Sequence, residues 1–184
     1  MLESFVAAPY RIDLIYEDCY TSHSADNMRR YSHEYVFCET RPSSKHGVLC
    51  WRAEVLLGST VLLAGGGGTG VHKHSLLVLG SCAYVGVGDQ VACLDVPALR
   101  LAWNTRADDA TVFGVYGTPD KDALIIHGEL AVSRLTLDGE VVWSAGGRDI
   151  FTGDFSVEAD WIRVCDFDNR EYRFDIRSGR VLVD

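Results

Sequence analysis

The chain has 184 residues, 47% of them apolar, and a formal net charge of −9. That length suits one domain with a real core, and the apolar share excludes a chain that stays disordered. The acidic balance repels phosphate backbones and anionic lipid, so neither nucleic acid nor a membrane is an expected partner.

The amino terminus, MLESFVAAPYRIDLIYEDCY, carries Glu3 and no basic residue ahead of a short apolar run, which is wrong for a secretory signal. No apolar run approaches the ~20 residues of a membrane span. The six cysteines (Cys19, Cys38, Cys50, Cys82, Cys93 and Cys165) are scattered, and no pair has C-x-x-C spacing. Without a signal they read as small hydrophobes in a reducing cytosol, so a cytoplasmic protein is expected.

Residues 1–32 are the least regular part. Residues 12–16 read as a strand, and the polar stretch 20–30 reads as a short helix or a loop. Two further strands, 35–39 and 48–57, flank the polar turn RPSSKHG, and Cys50-Trp51 reads as a degenerate form of a tryptophan position that recurs later. A strand at 59–64 then runs into Gly65-Gly-Gly-Gly-Thr-Gly70. A phosphate loop needs Gly-Lys-Ser/Thr leading into a helix, whereas Val71-His-Lys-His-Ser leads into a strand, so a flexible connection is expected. His72 and His74 flank Lys73. In an extended segment both imidazoles would point to one face and could share a divalent metal, although the carboxylate that usually completes such a motif is replaced by Leu76 to Leu79.

The chain is organised around residues 75–103, SLLVLGSCAYVGVGDQVACLDVPALRLAW. Four short runs of Val, Leu, Tyr and Trp are punctuated by Gly80-Ser81, Gly88-Asp89 and Pro97, which predicts a four-stranded antiparallel meander. Two echoes follow. The first has strands at 123–127 and 130–137, the hairpin signal Asp138-Gly139, and a strand ending on Trp143. The second has strands at 161–165 and 170–176, then Ser178-Gly179 and residues 180–183. Trp103, Trp143 and Val183 recur at a period of roughly 40 residues, as propeller blades do. Their regular placement makes the tryptophans packing residues between blades.

CLDVPALRLAW and FDIRSGRVLV resemble the repeat of quinoprotein-type (PQQ-like) β-propellers, whose blades end Leu-Asp-x-x-Thr-Gly-Lys-x-x-Trp. Asp95 to Trp103 keeps the spacing with Leu99 in place of Gly, and the last unit keeps Asp175, Gly179 and Arg180 with Val183 in place of Trp. The chain reads as a bacterial protein of this repeat type. The resemblance covers residues 75–184 and implies the blade, while the residues that hold the quinone have no match. No cofactor is therefore expected, PQQ included, apart from the divalent metal considered at His72 and His74.

The expected fold is all-β, a propeller-like repeat of four-stranded antiparallel meanders with about four small blades. It would be closed as a ring, left incomplete, or completed by a second chain as a homodimer. One domain covers 1–184, with a degenerate blade in 1–74 and repeats at 75–114, 115–153 and 154–184. Ring closure would pair 12–16 or 35–39 with 181–183. Loops gathered at one end of such a ring would offer Asp108, Asp109, Asp149 and Asp154 to a cation or basic peptide, with His127 at a strand end as a further ligand-binding residue, although each aspartate also suits a turn cap. The remaining histidines, His23, His33 and His46, fall in loops. Rigid sheets presenting loops, without an assembled reaction centre, point to a non-catalytic binding or protein-interaction module for a protein or small polar ligand. The alternatives are a small metal-dependent enzyme using His72 and His74, and a self-assembling structural protein.

Overall fold

The computed structural model describes residues 1–182, all strands and turns. The first sheet contains β1 (Leu2–Ala7), β2 (Tyr10–Tyr16), β3 (His33–Val36), β4 (Ser44–Arg52) and β5 (Val55–Ala64), in the order β1-β2-β4-β5-β3. The second is the meander β6 (Leu76–Leu79), β7 (Cys82–Val87), β8 (Gln90–Asp95) and β9 (Leu101–Arg106). The third repeats it with β10 (Val112–Gly117), β11 (Ala123–Gly128), β12 (Ala131–Thr136) and β13 (Val141–Gly146). The last holds β14 (Phe155–Val157), β15 (Trp161–Cys165) and β16 (Glu171–Asp175), with Val181 bridged to Phe174 where a fourth strand would run. The Trp-equivalent Val183 lies outside the described residues.

Burial explains the sequence patterns. In the second sheet β7 and β8 are buried along almost their whole length, because neighbouring sheets cover both faces, and they read as continuous apolar and small runs. The outer strand β9 alternates half-buried with exposed residues. One core, with Ile12, Val48, Leu62, Val85, Leu94 and Leu99, lies between sheets one and two. A second joins Tyr84, Val91 and Cys93 to Val115, Leu124 and Leu135. A third joins Ile125 and Val132 to Phe151, Ile162, Val164 and Phe174. Among the described residues no such buried cluster joins the fourth sheet to the first.

A repeated latch holds successive sheets. Trp103 on β9 donates its indole N–H to Leu137 O at 3.1 Å, and Trp143 on β13 donates to Ile176 O at 3.3 Å. Each ring lies flat on the positive-φ glycine of the next hairpin. A Cβ on Gly139 (φ 89°) would meet Trp103 at 2.7 Å, and one on Gly179 (φ 68°) would meet Trp143 at 2.6 Å. The hairpin turn is itself repeated, for Leu99 N donates to Asp95 O at 2.7 Å and Gly179 N to Asp175 O at 2.9 Å.

Strand register corrects the reading of Cys50-Trp51. The ladder slips by one residue at Cys50/Trp51, Cys93/Leu94 and Arg134/Leu135, and the residues paired just before each slip are Gly58, Trp103 and Trp143. Gly58, not Trp51, therefore occupies the latch position of the first sheet. Trp51 instead lies on β4 beneath the Arg11 guanidinium, 5.6 Å from the ring centroid. The substitution is reciprocal: with no indole to receive, the facing hairpin carries Leu99 (φ 57°) where the other two carry glycine, and Leu99 is fully buried. A Cβ on Gly58 would run into Ala98 O at 2.7 Å.

Other sequence expectations shift with the tertiary structure. The strand expected over 48–57 is a hairpin that reverses at Ala53 (φ 51°). Half of the turn expected at RPSSKHG belongs to β4, where Ser44 and His46 are completely buried. His33 likewise lies in β3 and not in a loop. The glycine run is tightly seated, with Gly67 N bonded to Ala110 O at 2.9 Å, so close backbone approach and not looseness accounts for its composition. The expected pairing of the termini is not made by the described residues: β2 is flanked by β1 and β4, β3 runs parallel to β5 at the sheet's edge, and Val181 bridges to Phe174 of its own sheet.

Both end faces are finished by the chain itself. Tyr20 and Tyr31, from the turns of 17–32, cover Val61 and Leu63 on the first sheet, with Tyr31 lying against Gly47. Tyr20 Oη donates to Glu34 at 2.7 Å, Tyr31 Oη to Glu17, and Arg29 pairs with Glu17 at 3.1 Å. The fourth sheet's outward face carries the Arg173–Trp161 stack at 5.1 Å and the Arg163–Glu171 and Arg173–Glu171 pairs.

Candidate functional site

A row of rings runs from the turn ahead of β6 across β10 and β11 of the third sheet to β14 of the fourth. His74 stacks on Tyr116 with centroids 4.5 Å apart, Tyr116 meets Phe155 at 4.7 Å, and Phe155 stacks on His127 at 4.3 Å and 11°. Phe113 completes it, edge-on to His127 at 5.4 Å. Phe113, Tyr116, Phe155 and His74 are half-buried, and His127 is only 7% exposed.

Local structure places each ring. The β10–β11 ladder slips between Val112 and Gly114, which leaves Phe113 as the extra residue and turns its ring toward His127. Gly114 is paired with His127, and its missing side chain makes room for Tyr116, whose Cε2 would lie 2.7 Å from a Cβ there. His72 and His74 are not on an extended segment. Ser75 N donates to His72 O at 2.9 Å, closing a turn, and His74 N donates to His72 Nδ1 at 3.2 Å. The two imidazoles are edge-to-face at 6.2 Å, with one His72 nitrogen already occupied by the backbone. Among the described residues no three His, Cys, Asp or Glu side chains gather closely enough to hold a metal ion.

Burial pushes the His127 imidazole down to about 4, against a hydrogen bond to the Phe151 backbone that favours its protonated form; His72 and His74 add repulsion. Burial, then Lys73 and His72, also lowers His74. Near neutral pH His127 is thus uncharged. Its Nε2 is buried and has no hydrogen-bond partner.

The aspartates do other things. Asp108 is 6% exposed, and its two oxygens accept four backbone N–H groups, from Ala110, Thr111, Leu130 and Ala131, at 2.7 to 3.1 Å. It clasps the second sheet's exit to the β11–β12 turn. Asp109 pairs with Arg106 at 3.5 Å beside it, in a cleft of about 190 Å³ that Ser133 and Ser144 also line. Asp149 accepts from Ile150 N at 2.8 Å, and Asp154 approaches Arg163 at 3.8 Å; both are exposed and neither lines that cleft. A larger cleft, about 680 Å³ between the hairpins of sheets three and four, has Arg134 bonded to Ile176 O at 3.1 Å and to Asp122 at 3.4 Å. Sequence reading named His74 and His127 without relating them, and it missed Phe113, Tyr116 and Phe155 as site residues. The available signal was their place on the first strand of consecutive repeats.

No protein-family model matches the chain, and no curated protein sequence does. Solved structures do. The computationally designed Ika8 protein superposes with a TM-score of 0.62 at 11% identity over 98% of this chain and 47% of that one. The WD40 β-propeller domain of Doa1 gives 0.51 at 14% identity over 74% and 46%, and the Cps50 (Swd1) β-propeller domain of Myceliophteria thermophila gives 0.50 at 15% over 62% and 37%. The chain spans about half the length of the Ika8 chain it matches. The architecture is that of a β-propeller, all-β with several four-stranded antiparallel sheets.

Proposed function

We propose that this chain is a non-catalytic binding module that takes its ligand, a protein segment or small polar molecule, on the row of rings that runs from His74 to Phe155. The observation that carries this reading is the run His74–Tyr116–Phe155–His127 with Phe113, in contact from the turn ahead of β6 to the fourth sheet and half-open to solvent. Aromatic rings anchored by rigid strands give a large contact area at little cost in side-chain entropy, and clusters of them mark interfaces. The aspartates of the loops support it less, because Asp108 spends its oxygens on the backbone. The quinoprotein-type repeat, supported by the matching Asp95 and Asp175 turns, supplies the scaffold as one domain. Six free thiols agree with a cytoplasmic setting.

The test is selection from a displayed library of unstructured peptides, followed by titration of the best binders against Tyr116→Ala and Phe155→Ala. Each truncation should weaken binding at least tenfold while circular dichroism stays that of the parent. Binders that ignore both substitutions would place the ligand elsewhere and refute the reading.

A further inference from the structure

We infer that the ligand of this row is a basic peptide, one of whose N–H-bearing cationic side chains donates to His127 Nε2 while lying against the faces of Phe155 and Tyr116. The inference rests on the binding-module reading above and names its ligand class. Three observations converge on it. His127 is 7% exposed, yet its Nε2 has no hydrogen-bond partner, and a buried polar atom left unpartnered carries a desolvation cost that a ligand N–H would recover. Nε2 is the His127 nitrogen left buried without a partner, so it is the atom of the ring left for a ligand. The His127 ring is stacked on Phe155 and edge-on to Phe113, and aromatic faces attract cations.

Charge complementarity selects the occupant. The chain carries −9, which raises the local concentration of basic ligands and repels anionic ones. Phe155 sits on β14, which is three residues long and among the described residues pairs only with β15. A shift of its ring would open Nε2, which a static stack covers.

The experiment uses the full chain and four short peptides that are identical except for a central lysine, arginine, citrulline or trimethyllysine. Binding is followed by calorimetry and by the ¹⁵N shift of the His127 imidazole. The lysine and arginine peptides should bind at least tenfold more tightly than citrulline, which keeps N–H groups but not charge. They should also exceed trimethyllysine, which keeps charge but not N–H. His127 Nε2 should shift on saturation. His127→Phe should lose about tenfold in affinity for the lysine and arginine peptides, and His127→Gln, which restores an acceptor, should recover part of it. Equal affinity for lysine and trimethyllysine, or an unmoved Nε2 resonance at saturation, would overturn the assignment. Library binders that need Tyr116 and Phe155 but carry no basic residue would sink the ligand class and leave the binding-module reading standing. Binders indifferent to both rings would end both.

Discussion

His46 should make the protein acid-labile in a way that one substitution removes. It sits completely buried on β4 between sheets one and two, with Nδ1 3.1 Å from Gly86 O and Nε2 3.2 Å from Thr69 O. Both neighbours are acceptors, so a neutral ring satisfies only one of them. Burial nevertheless outweighs the two carbonyls and pushes the imidazole down to about 4. The folded state therefore binds this proton less readily than the unfolded chain, whose histidine titrates near about 6.5. The associated stability is present in full above that value and is lost as pH falls toward about 4. Between pH 7.5 and 4.5 the loss is roughly 2–3 kcal/mol for this residue, a sizeable part of a typical domain's stability. The assay is urea unfolding at both pH values for the parent and for His46→Phe. The variant should be weaker at pH 7.5, since the buried carbonyl that the neutral ring serves loses its donor, but its fall on acidification should be smaller by about 2–3 kcal/mol. An unchanged fall would show that His46 is protonated in the fold, held by both carbonyls at once, and would refute the desolvation argument.

The remaining predictions concern the scaffold. Trp143→Ala removes a half-buried indole and its bond to Ile176 O and should cost about 2–4 kcal/mol in urea unfolding; Gly179→Ala, which strains a φ of 68° and pushes a methyl into the same indole, should cost at least about 1 kcal/mol. If either is neutral, the latch is not a stabilising element. Asp108→Ala strands four backbone donors and should destabilise by about 3 kcal/mol without changing peptide affinity at the ring row; a selective loss of binding would make Asp108 a ligand residue instead. Gly58→Trp alone should destabilise strongly, whereas Gly58→Trp with Leu99→Gly should recover at least about 1 kcal/mol of the summed loss, as measured in a double-mutant cycle. Additive costs would show that the two positions do not form the first latch.

What the amino-acid sequence determined by itself was the blade. Runs such as 82–87 and 90–95, cut by Gly88-Asp89, specify strand and turn through local conformational preference, and the recurrence of Trp103 and Trp143 marks the repeat because the same side chain must fill the same place in each unit. Where the repeat decayed, local pattern had no hold. Gly58 carries no signal on its own and is recognisable as a latch position only from the ladder slip at Cys50 and from Leu99 opposite it. The burial of His46 inside a polar-looking stretch, and the Leu130 and Ala131 donors gathered by Asp108, likewise depend on partners more than 20 residues away. The ring row is the extreme case. Its members come from two sheets and the turn ahead of β6, no two of the stacked pairs are neighbours in the chain, and the bulge at Phe113 that aims one of them exists only once β10 meets β11. Side-chain period and turn chemistry act over a few residues and are legible in the chain, but a binding surface is a property of which strands the packing brings side by side.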